Sequence, residues 1–311
     1  MYLDKFELSG SAVSNAMMLA ATLLFLLAAI VVDGCPTTES RYSIRYDLIK
    51  RDVKSSESII TRRWVADVDK CRHFAESKQA LAFNFAATSN AADRSSANCF
   101  PLRCPEIDGE RRLLNATGWD YYSAYPIGAG TNESFTGKLM RKKFKSPDSK
   151  FILYTTIRVG NGTVSCVERV GLFALFMEEQ NITDARETCR AATPLGGYLA
   201  DVTSEPRTRG ISKLIGDLLV YVGLTNDAQQ RKWKNELDDY LWCFDYRAWD
   251  VGEPSHSRGC VALFRQNPKT DPVWRVVACS NRLPFVCELP RTAGKKTYSY
   301  VNFLRSKDVI S

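Results

Sequence analysis

The sequence predicts an α+β chain built from two disulfide-bridged modules, and three observations predict it. Its 311 residues, 45% of them apolar, are enough for about two domains and too rich in core-forming side chains for disorder. Short strand-like runs alternate with amphipathic helical stretches along most of the chain. Ten cysteines, an even set, follow an apolar amino-terminal run that would deliver them to an oxidising compartment. Lys and Arg number 42 against 35 Asp and Glu, so the net charge is +7, too mild for a dedicated nucleic-acid binder. Two histidines leave acid–base and metal chemistry short of their commonest residue.

The first element is the run from Ala16 to Val32, AMMLAATLLFLLAAIVV, uncharged throughout and broken by Asp33-Gly34-Cys35. It reads as a secretory signal over 1–34 with small residues before a cut at Gly34. The alternative is an uncleaved type II membrane anchor, since the run sits at the lower limit of a bilayer span. Either way the rest of the chain faces an extracellular space. Four acceptor triplets, at Asn115, Asn132, Asn161 and Asn181, fit a translocated glycoprotein. There is no C-x2-C pair and no histidine at zinc-ligand spacing from a cysteine cluster, so the cysteines read as five bridges and no metal site is expected.

Residues 44–70 read as strands, in YDLIKR and SIITRRWVADV. Cys71 then opens a helix, Ala82-Phe83-Asn84-Phe85 alternates like a strand, and a polar loop leads to Asn98-Cys99-Phe100-Pro101-Leu102. Over 44–124 this pattern resembles the PAN or apple domain, in which a helix packs on an antiparallel sheet. The resemblance implies a Cys71–Cys99 bridge. That family's second helix cysteine and its partner are replaced here by Ala75 and Ala80, so both halves of one bridge are missing together, which leaves no stray reactive thiol.

Residues 125–150 turn to Gly, Ser, Asn and Lys around Arg141-Lys142-Lys143-Phe144-Lys145 and read as a basic linker, with a polyanion site as the alternative. Gly137-Lys138 imitates the end of a phosphate loop, but Asn132 stands at the first glycine position and Leu139 at the hydroxyl position, so no nucleotide site is expected. Residues 151–168 suggest a hairpin about the Asn161-Gly162 turn. Asn181, with Asp184 three residues on, caps a helix that puts Ile182, Ala185 and Cys189 on one face, and a second amphipathic stretch runs from Ser204 to Leu219.

From that helix onward the landmarks run Cys189, Gly196-Gly197-Tyr198-Leu199-Ala200, Val222-Gly223-Leu224, Trp233, Trp249, Gly252-Glu253-Pro254, Cys260-Val261, Trp274, Cys279 and Phe285-Val286-Cys287-Glu288. Their order over 151–289 resembles the C-type lectin-like domain: two helices, two small antiparallel sheets and a long loop region. The resemblance implies bridges Cys189–Cys287 and Cys260–Cys279, for which chain-entropy estimates give about 4 to 5 and about 3 kcal/mol. Cys35, Cys104, Cys166 and Cys243 then have three possible pairings. Val222-Gly223-Leu224 and the tryptophans read as core and strand-pairing residues. The stretch from residue 290 to 311 reads as a solvated tail.

The resemblance also implies where a sugar-binding calcium ion would sit. Carried over, the Glu-Pro-Asn motif is Glu253-Pro254-Ser255, the carboxylate before the loop cysteine is Arg258, and Trp-Asn-Asp is Trp274-Arg275-Val276. Of those ligands only Glu253 is kept, and calcium takes about 6 to 8 hard oxygens. A guanidinium near such an ion opposes it. The expected cofactor is therefore none. The candidate ligand-binding residues are Glu253, Ser255, His256, Arg258, Arg265 and Arg275, a cationic loop surface suited to an acidic protein face or an anionic glycan. The alternative is a calcium-dependent lectin with displaced ligands at Glu236, Asp238 and Asp239. An enzyme is not expected, as no G-x-S-x-G is present and His73 and His256 sit on a helix and in a loop.

Overall fold

Why the chain folds as it does is clearest at the bridges, because all the cysteines are oxidised and none is free. A computed structural model describes residues 35, 44–87, 96–107, 112–125, 160–193, 195–226, 232–256 and 259–292. The expected signal or anchor at 1–34, the basic cluster at 141–145, Asn132, Arg258 and most of the tail lie outside them. Among the described residues no helix is long and apolar enough to cross a membrane.

The amino-terminal module is a four-stranded antiparallel sheet in the order β1 (Asp47–Ser55), β4 (Leu113–Ser123), β2 (Ala82–Ala86), β3 (Cys99–Leu102), with helix α1 (Val68–Ser77) against it. The Asp67 side chain caps α1 by accepting from the Lys70 N–H at 2.7 Å, and Cys71 and Ala75 form the buried stripe. Cys71 is bonded to Cys99, tying α1 to β3. The strand expected at 58–68 is not continuous: it makes only the bridges Ile59 to Leu102 and Arg63 to Cys99. The reason is the buried Asn98, whose amide accepts from Val65 N–H at 2.8 Å and donates to Val65 C=O at 2.9 Å, taking the place of a strand partner.

The carboxy-terminal module holds β5 (Thr163–Val167), β6 (Gly171–Gln180), α2 (Ile182–Ala191), β7 (Tyr198–Leu199), α3 (Glu205–Ile215), β8 (Val220–Asn226), β9 (Trp233–Asn235), β10 (Gly259–Phe264), β11 (Val273–Val277) and β12 (Leu283–Leu289). The Asn181 cap is present, its Oδ1 accepting from Thr183 and Asp184 N–H, and Ile182, Ala185 and Cys189 are buried. The two expected sheets are joined into one, β11-β10-β8-β12-β6-β5, through the single parallel pairing of Phe285 with Tyr221. The strand expected before the Asn161-Gly162 turn, at 151–159, lies outside the described residues; the strand after it, β5, pairs with β6 across a further turn at 168–170, with Arg169 at φ 62°. Cys189–Cys287 and Cys260–Cys279 are both present. Gly223 is required by close approach, since a Cβ there would lie 2.3 Å from the Leu199 carbonyl oxygen of β7.

The two modules share a core. Cys104 is bonded to Cys166, which fixes one of the open pairings. Tyr125, expected to begin the linker, is 1% exposed, and its hydroxyl accepts from the Leu172 N–H at 3.1 Å. Arg169 N–H donates to Arg103 C=O at 2.9 Å, and the Arg103 guanidinium meets Glu168 at 2.8 Å. The first residues of the expected tail, up to 292, are tied to the rest of the chain. Thr292 N–H donates to Ala124 C=O at 2.7 Å, Thr292 C=O accepts from Arg45, and Arg291 donates to Val170 C=O.

Candidate functional site

The loops between β9 and β11 carry the candidate residues, and an aromatic floor positions them. Trp274 of β11 is fully buried, Trp249 pairs with it as an isolated bridge, and the two rings meet edge to face at 5.4 Å. Asp250 N–H donates to Trp274 C=O at 3.0 Å, and Trp274 N–H donates to Ala248 C=O at 2.6 Å. This register sets Asp250 beside Arg275.

Arg275 Nε donates to Asp250 Oδ2 at 2.7 Å, and its guanidinium lies 4.2 Å from the Phe264 ring centre. The Arg275 hydrogen bond, with help from the Val251 N–H, holds the Asp250 carboxyl below the usual carboxylate range. Glu253 N–H donates to Asp250 C=O at 3.0 Å, and Glu253 Oε2 accepts from the Ser255 N–H at 2.6 Å and hydroxyl at 2.9 Å. The Glu253–Pro254 bond is cis. Glu253, Ser255 and Arg275 are thus brought to one corner around Asp250, with His256 exposed nearby in sequence. Arg265 is not part of that corner: its guanidinium donates to the Thr270 and Pro268 carbonyls of its own turn.

A calcium ion, which the lectin resemblance would imply, does not fit this donor set. One Glu253 oxygen already serves Ser255, Asp250 serves Arg275, and a guanidinium and an alkyl chain stand at 275 and 276. The displaced set does not replace it. Glu236 is ion-paired to Arg186 at 2.8 Å, and Asp238 and Asp239 lie in a tight turn closed by the Asn235 side chain. Among the described residues no group of three or more His, Cys, Asp or Glu is placed to hold a metal.

Two features escaped the sequence. Asp250 belongs to no motif, although Trp249-Asp250 and Trp274-Arg275 are a matching pair of aromatic-plus-charge dipeptides of opposite sign. Trp242 is 43% exposed and stacks on Tyr240 at 4.0 Å, with Lys234 Nζ 4.7 Å from the Tyr240 ring centre, extending the loop surface as an aromatic and cationic ledge. No spacing rule distinguishes such a tryptophan from a core one.

Comparison with known proteins bears on this module. Residues 178–289 match the sequence family described as lectin C-type domain. Solved structures similar to the chain include human lithostathine, 21% identical, covering 42% of this chain and 96% of that one with a TM-score of 0.33. They also include the mouse scavenger receptor C-type lectin carbohydrate-recognition domain, 23% identical, covering 39% and 91% with a TM-score of 0.32. A third is the C-type lectin domain of murine dendritic cell inhibitory receptor 2 in complex with N-glycan, 21% identical, covering 38% and 89% with a TM-score of 0.32. No curated protein matches the chain. Residues 178–289, with their capped helix, two bridges and aromatic-floored loops, are a C-type lectin-like domain.

Proposed function

We propose that this chain is an extracellular, non-enzymatic recognition protein whose lectin-like domain binds a protein or glycan without calcium. The observation that supports it is the Arg275–Asp250 ion pair: a cation and its own partner carboxylate occupy the corner where the family resemblance would put metal-ligating oxygens. The residues offered for ligand contact are Glu253, Ser255, His256, Arg258, Arg265 and Arg275, for a partner with anionic groups. Arg275 and Arg265 keep donor hydrogens beyond those used internally, because a guanidinium carries five.

The amino-terminal module is read as apple-like, on the strength of one helix bridged to a four-stranded antiparallel sheet. Secretion rests on the apolar run at 16–32, and glycosylation on Asn115, Asn132, Asn161 and Asn181. Asn161 is exposed in a turn between two glycines, and Asn115 is exposed on β4.

Calorimetric titration of the folded chain with calcium is the direct test. No heat of binding up to low millimolar calcium is expected, and a saturable site would overturn the calcium-free reading. A glycan and protein array with and without chelator complements it. Chelator-sensitive retention on sugars would favour a calcium-dependent lectin with displaced ligands instead.

A further inference from the structure

One Asn-Gly pair occurs in the sequence, Asn161-Gly162, and it stands just ahead of β5. Asn161 is exposed. On its amino-terminal side Gly160 takes a left-handed φ of 47°, and the space where a Cβ would stand is open. On its carboxy-terminal side the glycine is imposed by packing. A Cβ at Gly162 would lie 2.8 Å from Phe176 Cζ, and Phe176 is buried and stacked on Phe285 at 4.8 Å, so the ring has nowhere to retreat. The fold therefore requires, beside an exposed asparagine, the one residue that puts no side chain between the backbone nitrogen and the asparagine amide.

The other acceptor asparagines among the described residues are held differently. Asn115 of β4 is paired with Val53 of β1 and is followed by Ala116. Asn181 has both ends of its amide engaged: Oδ1 accepts from Thr183 N–H at 3.0 Å and Asp184 N–H at 3.1 Å, and Nδ2 donates to Asp184 Oδ2 at 2.7 Å. It is followed by β-branched Ile182, whose N–H is given to the Cys279 carbonyl at 3.2 Å. A side-chain amide so fixed does not swing onto the next backbone nitrogen. That of Asn161 lies in a turn beside the least hindered nitrogen a peptide chain offers.

We infer that Asn161 is a self-modifying site, at which the Gly162 nitrogen attacks the Asn161 side-chain carbon to form a cyclic imide. The bond made is Gly162 N to Asn161 Cγ, the bond broken is Cγ–Nδ2, and the Gly162 amide proton leaves with Nδ2 as ammonia. Water then opens the ring, at Cγ to give aspartate or at the backbone carbonyl to give isoaspartate, in which the main chain runs through the side chain. Nothing is oxidised or reduced, and water is the sole co-reactant. Either product adds a negative charge at the start of β5, the edge strand of its sheet. Downstream, β5 is pinned by its ladder to β6 and by the Cys104–Cys166 bond, so the change marks the turn without unfolding the module. The acceptor triplet at the same residue gives this amide a second fate, and this clause alone rests on the extracellular reading: a glycan bonded to Nδ2 replaces the leaving group and blocks the imide. The same nitrogen either carries a glycan or departs as ammonia.

The test is timed incubation of the full chain at neutral pH and body temperature in heavy-oxygen water, read by peptide mass and by methylation with an isoaspartyl methyltransferase. Thr163→Ala removes the acceptor triplet and keeps the Asn-Gly pair. In this folded variant Asn161 should take up heavy oxygen at least about tenfold faster than Asn115 or Asn181, a barrier difference of about 1.4 kcal/mol. Isoaspartate should appear at 161, and the rate should rise with pH, because the deprotonated Gly162 nitrogen is the nucleophile. Adding Asn161→Gln, whose longer side chain must close a six-membered ring, should abolish both signals. The inference is overturned if folded Thr163→Ala keeps its Asn161 amide while the urea-unfolded variant loses it, for the turn would then protect the amide. It is equally overturned if Asn115 or Asn181 keeps pace. In the unsubstituted secreted chain, glycan-bearing molecules trimmed to a single sugar should keep the Asn161 nitrogen and bare molecules should lose it. A secreted chain with no glycan at Asn161 would refute the second fate, while the imide is judged on the variant alone.

Discussion

In the lectin-like domain, Arg186 faces Glu236, Arg207 faces Glu288 and Asp201, and Arg275 faces Asp250. In the amino-terminal module, Lys54 and Arg62 face aromatic rings, Arg63 and Lys70 line a cavity, and the buried Glu106 faces the Ser55 hydroxyl at 2.5 Å with its other oxygen unpartnered. A cation matched to a fixed carboxylate ties two elements together, whereas one resting on a ring does not; both kinds occur in each module, as Arg45 beside Asp47 and Lys234 on Tyr240 show. The count of basic residues does not separate these cases; only their partners do.

The largest effect should come from unmatching the lectin side. Burial works against the Arg207 charge, but Glu288 and Asp201 more than restore it, while burial pushes the Asp201 carboxyl up despite Arg207. Arg207→Met would strand two carboxylates between α3, β7 and β12. We expect a loss of about 2–4 kcal/mol, below the top of the buried-pair range because a fifth of the Arg207 side chain is exposed. Chemical denaturation measures it, adding Asp201→Asn and Glu288→Gln should recover part of the loss, and a cost under about 1 kcal/mol would show the cluster to be solvated.

On the other side, Glu106 has the reverse defect. Burial raises its carboxyl above the usual range against the Ser55 hydrogen bond. The folded state therefore holds this proton more tightly than the unfolded chain, a benefit that is complete below the ordinary carboxylate range and is lost as pH rises through the raised value. Glu106→Gln should stabilise the chain by about 1–3 kcal/mol at neutral pH, with the gain fading in mild acid. Thermal unfolding at several pH values decides it, and a neutral-pH loss would mean that Glu106 is matched after all.

The smallest effect belongs to Arg275→Ala. The pair is at the surface, so the cost should be under about 1 kcal/mol. Asp250 is held low, so its contribution is present above the ordinary carboxylate range and disappears as pH falls through the depressed folded value. Hydrogen exchange of the Val251 and Glu253 amides should rise in the variant and, for the unmodified chain, in strong acid.

Much of the lectin-like frame was legible in the sequence. The Asn181 cap, the Ile182, Ala185 and Cys189 stripe and the two bridges obey local rules or a long ordered string of landmarks. The β5–β6 turn was not, because Arg169 takes the left-handed conformation usually signalled by Gly or Asn. Its N–H bond to Arg103 and its guanidinium contact with Gln79 at 3.4 Å, both across the module junction, hold it there. The interrupted segment at 58–68 was illegible for a related reason: a single side chain, Asn98, replaces a strand partner. At the candidate site, residue types could be read but pairings could not. Arg275 reads as a free cation until the Trp249–Trp274 bridge puts Asp250 against it.

The Cys104–Cys166 bond and the buried Tyr125 hydroxyl leave little room for the two modules to swivel. A ligand that touched both halves would have to carry its groups at one spacing. The second contact would then form at high effective concentration, and ligands of the wrong pitch would gain nothing from it.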